Sequence, residues 1–193
     1  DHGQGLGDHN WFPHRLLYQE QIRLPLIVRL PKGPRGKVVD ELVRSIDIMP
    51  TVLEELDQTP PAVVEGENLR PLMDGVTDEP RMGYAEALNT IDMHTPPQMA
   101  EDRKDLLFCA MDRRWKLIHH FEKPENSELY DLRSDPRELK NVISEHPDER
   151  ARLFGWLEQA GVMKIEFVRP EGAQDDEARR KLESLGYIGE GGG

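Results

Sequence analysis

Leu106-Leu107-Phe108-Cys109-Ala110-Met111, then Asp112-Arg113-Arg114, then Trp115-Lys116-Leu117-Ile118-His119-His120-Phe121, are two strand-like runs parted by three polar residues. They read as one antiparallel hairpin. Two more short strand-like runs, Met82 to Ala87 and Glu128 to Leu132, flank them and are bounded by turn residues. A helical pattern follows Asp135-Pro136 and is clearest from Pro147 to Ala160. There Leu153, Trp156 and Leu157 share a face, and Gly161 ends the helix. Residues 79–169 therefore read as a small antiparallel sheet with a packed helix.

Upstream the pattern is different. Residues 1–13 are a glycine-rich loop, and Leu16 to Ile22 suits a helical turn or two. Pro25-Leu26-Ile27-Val28 is an unbroken apolar run of the kind buried on both faces of a parallel sheet. After the turn cluster at 31–36, Asp47 is placed to cap a helix through Pro50, Val52, Leu53 and Leu56, with Pro50 tolerated in its first turn. A second helix, from about Glu67 to Met73, stops at Gly75. Residues 1–78 are thus an α/β segment, the end of a larger mixed sheet. Residues 170–193 form a charged tail with a helix near Glu177 to Leu185 and a disordered glycine-rich end.

The 193 residues carry a formal net charge of −12 and are 37% hydrophobic and 32% charged. That acidic balance argues against a nucleic-acid duplex or an anionic membrane as partner. No stretch is apolar and long enough to span a bilayer, since Leu24 to Leu30 is short and broken by Arg29. One cysteine, Cys109, excludes an internal disulfide framework. The chain opens on Asp1, directly on a ligand-type motif, and is read as a fragment whose N-terminal portion, with any signal peptide, lies elsewhere.

That motif is Asp1-His2-Gly3. The carboxylate offers a charged hard oxygen and the imidazole a neutral nitrogen, a useful pair for a divalent cation. Gly3, Gly5 and Gly7 let the backbone turn both side chains to one point. The tripeptide alone fits a solvated glycine-rich turn equally well.

Its company decides the matter. Asp1-His2-Gly3-Gln4-Gly5-Leu6-Gly7-Asp8-His9, Leu17-Tyr18-Gln19-Glu20 and Ile22-Arg23-Leu24-Pro25-Leu26-Ile27-Val28-Arg29 follow in order. Ser45-Ile46-Asp47-Ile48-Met49-Pro50-Thr51-Val52-Leu53 comes next. Then come Trp115-Lys116-Leu117-Ile118, Glu128-Leu129-Tyr130-Asp131-Leu132-Arg133-Ser134-Asp135-Pro136 with Asn141, and Leu182-Glu183-Ser184-Leu185-Gly186-Tyr187-Ile188-Gly189. Together these segments resemble the C-terminal portion of the sulfatase family. The resemblance implies an α/β fold of the alkaline phosphatase superfamily: the C-terminal part of its mixed sheet, followed by the small antiparallel sheet with a packed helix.

It also implies a sulfuric ester hydrolase whose metal is calcium (Ca2+) in most relatives and magnesium (Mg2+) in some. Asp1 and His2 would be two of its ligands, the remaining ligands lying in the missing portion. Many relatives carry asparagine where His2 stands. His14, four residues before Tyr18, matches the place of a lysine or histidine that touches the sulfate. A cation there offsets charge growing on the ester oxygens, and histidine could also protonate the leaving oxygen. A loop histidine packed on Trp11 or Phe12 is the alternative. His9 belongs to the segment that shapes the loop, and nothing singles out Asp8 or Arg15.

Relatives oxidise the cysteine or serine of Cys/Ser-x-Pro-x-Arg to formylglycine, whose hydrate attacks sulfur. Cys109-Ala110-Met111-Asp112-Arg113 lacks the proline, follows rather than precedes the Asp-His pair, and sits in an apolar strand. Cys109 is therefore read as core, and the formylglycine as part of the missing portion. His119 and His120 point to opposite strand faces and cannot easily share a metal. His94 and the acidic run 174–177 carry no ligand spacing. The implied partner is a sulfate ester, with a sulfated carbohydrate among the candidates, and the family tendency is periplasmic or secreted. A phosphodiesterase or phosphonate monoester hydrolase of the same superfamily, or a non-catalytic binding module built on the fold, are the competing readings.

Overall fold

The computed structural model describes residues 2–12, 14–76, 80–89, 103 and 105–164. Four strands, β1 (Gly83–Leu88), β2 (Leu106–Met111), β3 (Trp115–His120) and β4 (Glu128–Asp131), form an antiparallel meander in the order β1-β2-β3-β4. Phe108 pairs with His119, Cys109 with Ile118, and Leu117 with Leu129. The hairpin turns where the sequence placed it, and Asp112 is the reason. Its Oδ1 accepts the backbone N–H groups of Arg114 and Trp115, each at 2.7 Å.

Both faces of β2 and β3 are buried, so β2 is apolar throughout, while β3 also buries Lys116, His119 and His120. One face carries α4 (Pro147–Ala160), with Leu153 and Leu157 fully buried and Phe154 edge-on to His119. The other face, with Leu107, Cys109, Met111, Ile118 and Tyr130, meets Trp11, Leu16, Leu17 and Tyr18 from the opening loop. That loop is therefore part of the core of the sheet domain. The remaining helices are short: α1 (Gln19–Ile22), α2 (Ile48–Glu55) and α3 (Arg70–Asp74). Asp1–Met163 form one compact unit, which contains all of these elements, and Lys164–Gly193 a second. The helix expected near 177–185 lies outside the described residues, as do His94 and the acidic run at 174–177.

Three expectations need correction. Residues 25–28 are not a buried strand: Ile27 is 91% exposed and Leu26 41%. An apolar strand of a parallel sheet needs a hydrogen-bonding neighbour, and among the described residues the sheet holds only β1 to β4. The opening helix is only α1, because Leu17 takes a left-handed backbone, φ 64°, that interrupts it. Asp47, finally, does not cap α2.

The fully buried Asp47 carboxylate instead accepts the backbone N–H groups of Arg44 and Glu67, both at 2.9 Å, and pairs with the Arg44 guanidinium at 2.8 Å. Burial alone would raise its pKa, but these hydrogen bonds and the Arg44 charge outweigh it and hold the carboxyl below the usual range. The Asp47 contribution to stability is therefore present above about pH 4 and is lost as pH falls through the depressed folded value. Asp47→Asn should cost about 1–3 kcal/mol near neutrality, and its deficit against wild type should shrink on acidification in thermal melts. A deficit independent of pH would contradict this assignment.

Candidate functional site

The opening loop is fixed by one close approach. Gly3 N–H donates to Gln21 O at 2.7 Å, and a Cβ on Gly3 would lie 2.0 Å from Glu20 O. Only glycine fits, so His2 is set against the start of α1 by the residue that follows it. His2 Nδ1 lies 2.8 Å from Gly3 O, which places the hydrogen on Nδ1 and a lone pair on Nε2. A carbonyl holding the other ring nitrogen in this way is the usual support of a metal-ligating histidine.

His14 arrives at the same place from twelve residues further on. Its Nδ1 is 3.0 Å from Gln4 Oε1, and its carbonyl accepts the indole N–H of the buried Trp11 at 2.9 Å. The rings of His2 and His14 face one another with centroids 4.3 Å apart, tilted by 35°. His14 is thus beside His2, and the Trp11 indole meets its backbone carbonyl. The segment after it is strained, with φ 97° at Arg15 and 64° at Leu17. It is held by Asn89 Nδ2 on Arg15 O at 2.9 Å and by Gln21 Oε1 on Leu16 N at 2.7 Å. Strain of this kind persists where surroundings over-determine it, and clusters at functional sites.

The sheet domain anchors the loop from below. The His9 ring stacks on Tyr18 at 3.7 Å and 4°, and its nitrogens lie 3.0 Å from Glu20 Oε1 and from Glu138 O. Glu138 Oε2 accepts Gln19 N–H at 2.6 Å, while its Oε1 lies 2.6 Å from Lys116 Nζ on β3, both side chains fully buried. Burial pushes the Glu138 carboxyl up, and Lys116 counters part of that. Neither the pair nor Gln4 was singled out from sequence. Lys116 on β3 and Glu138 in the segment beyond β4 are separated along the chain and meet only in the fold.

Asp1 lies outside the described residues, so His2 is the one expected metal ligand with described geometry. Among the described residues no three histidine, cysteine, aspartate or glutamate side chains gather to form a complete cation site. Cys109 is fully buried, and burial pushes its thiol up to about 12, so it carries almost no thiolate. His119 and His120 do face opposite ways: one meets Ser127 and Phe154, the other Asp105.

Residues 7–153 match the family described as N-sulphoglucosamine sulphohydrolase, C-terminal. An N-acetylglucosamine-6-O-sulfatase of Bacteroides thetaiotaomicron is 29% identical over 162 residues, 82% of this chain and 28% of that protein. An arylsulfatase of Clostridium perfringens is 30% identical over 180 residues, 91% of this chain and 34% of its own length. A solved structure of a protein in complex with its substrate D-glucosamine-2-N,6-O-disulfate superimposes with a TM-score of 0.62 at 27% identity, covering 82% of this chain and 32% of that one. The phosphonate monoester hydrolase of Silicibacter pomeroyi superimposes at 0.66 with 24% identity, covering 88% and 35%, and shares the fold. The chain spans about a third of the length of the curated relatives it matches.

Proposed function

We propose that this chain, which belongs to the sulfatase family, forms one wall of a site that hydrolyses sulfate esters, with sulfated carbohydrates as the substrate class. The facing His2 and His14 rings carry the proposal. As the imidazolium, with Nδ1–H held by Gln4 Oε1, His14 would address a sulfate oxygen through Nε2–H, stabilising charge there or donating a proton to the leaving oxygen. His2, through Nε2, and Asp1 would hold a divalent cation, calcium or magnesium, together with ligands from outside these 193 residues. Such a cation, when bound, neutralises charge on the sulfate oxygens and lowers the pKa of the nucleophile. That nucleophile, a formylglycine, also lies outside the chain, since Cys109 is buried and protonated. The carbohydrate preference rests on the relatives, among them an N-acetylglucosamine-6-O-sulfatase.

The test joins this chain to the rest of a sulfatase catalytic domain and compares p-nitrophenyl sulfate with p-nitrophenyl phenylphosphonate. Faster turnover of the sulfate, in kcat/KM, is expected; faster cleavage of the phosphonate would replace the reading with a phosphonate monoester hydrolase. The chain alone, given calcium and p-nitrophenyl sulfate, should show no turnover. Turnover there would mean that the nucleophile lies within these residues after all.

A further inference from the structure

A cavity of about 270 Å³ lies between the Leu16 to Tyr18 segment and the face of β2, β3 and β4 opposite α4, and neither His2 nor His14 lines it. Its size is at the small end for ligand pockets, about 300–1,000 Å³, suited to a single ring. Leu107 and Ile118, almost fully buried, expose little to it, and most of its lining is polar, from Tyr18, Arg103, His120, Asn126 and Glu128.

Two of these groups are rigidly prepared. Glu128 accepts the Tyr18 hydroxyl on Oε1 at 3.0 Å and the Tyr130 hydroxyl on Oε2 at 2.9 Å, which fixes the carboxylate and leaves a lone-pair site on each oxygen. Burial, with the Glu128 charge, pushes both tyrosine hydroxyls well above their ordinary range, so they stay donors. His120 Nδ1 lies 3.2 Å from Oδ2 of the fully buried Asp105. That carboxylate already accepts the backbone N–H groups of Leu106, Glu122 and Lys123 at 2.7, 2.9 and 3.1 Å, so it is held as an acceptor and the hydrogen belongs to Nδ1. Nε2 of a neutral His120 is then an oriented acceptor.

The wall is balanced in charge, with the Glu128 carboxylate set against the Arg103 guanidinium, which is itself tied to His9 O at 2.8 Å. A bare anion would meet Glu128 and a bare cation would meet Arg103. Among the described residues no three metal-binding side chains gather here or elsewhere. Hydroxyl groups, each donor and acceptor at once, suit this mixture of carboxylate, imidazole, amide and guanidinium. We propose that this cavity binds one uncharged sugar ring, as a site distinct from the His2–His14 pair. The proposal stands on the cavity alone and does not depend on the sulfatase reading.

Titrating the 193-residue chain with N-acetylglucosamine, glucose and galactose, with glycerol as control, tests it through the ring resonances of His120. At least one sugar should shift those resonances saturably in the millimolar range, and inorganic sulfate should not compete. Asn126→Ala and Glu128→Gln should each weaken the response about tenfold or more, the worth of one hydrogen bond to a fixed polar group. Absence of saturation with all three sugars, shifts that leave His120 unmoved, or displacement by sulfate at equal concentration would each overturn the proposal. The His120 readout in the unaltered chain decides even if a variant fails to fold.

Discussion

Replacing Lys116 alone with methionine should destabilise the sheet domain by about 3–5 kcal/mol, read from urea midpoints at neutral pH. The variant leaves the Glu138 carboxylate fully buried without its countercharge at 2.6 Å. Taking the partner out as well, in Lys116→Met/Glu138→Leu, should return most of that loss, because a well-packed apolar pair replaces two desolvated charges. Recovery will not be complete at α1, where Gln19 N–H loses its 2.6 Å acceptor. Glu138 already has a raised folded pKa, and losing Lys116 raises it further. Its penalty is therefore absent below the unfolded carboxyl value of about 4.3 and grows as pH rises above it. The gap between wild type and Lys116→Met should close in acid. A double variant as unstable as the single one would show that the pair acts through shape and not through charge.

His14→Ala, in a complete enzyme containing this chain, should lower kcat by about 10²–10³ with a smaller change in KM. The loss follows if the ring meets charge that develops only as the ester bond breaks. His14→Lys keeps a cation at the position and should recover much of the rate. Unchanged kcat in His14→Ala would reduce the residue to a loop histidine that packs near Trp11.

Local chemistry made the sheet domain legible. Asp112, Gly161 and the paired apolar runs state the hairpin and the end of α4 within a few residues of where they act. Elsewhere the deciding atoms lie far apart in the chain. Residues 25–28 carry the composition of a buried strand, yet the ladder such a strand requires is absent among the described residues. Asp47 looks like a helix cap because it precedes α2, while its real partners include Glu67, twenty residues away. At the site, Asp-His-Gly and His14 were readable as residue types in order. That Gly3 has no room for a side chain, that Gln4 sets the His14 ring, and that Glu138 ties the sheet to α1 are contacts between segments, which spacing does not reveal.

The calcium requirement of a complete enzyme carrying His2→Ala reports on the proposed cation pocket directly, because this substitution removes the proposed nitrogen ligand and leaves the ring of His14, proposed to meet the sulfate, in place. Half-maximal activity should need at least about tenfold more calcium than wild type, whereas His14→Ala should shift that midpoint little while depressing the plateau. A His2→Ala enzyme with the wild-type calcium midpoint would contradict a metal-binding role for the imidazole that faces His14.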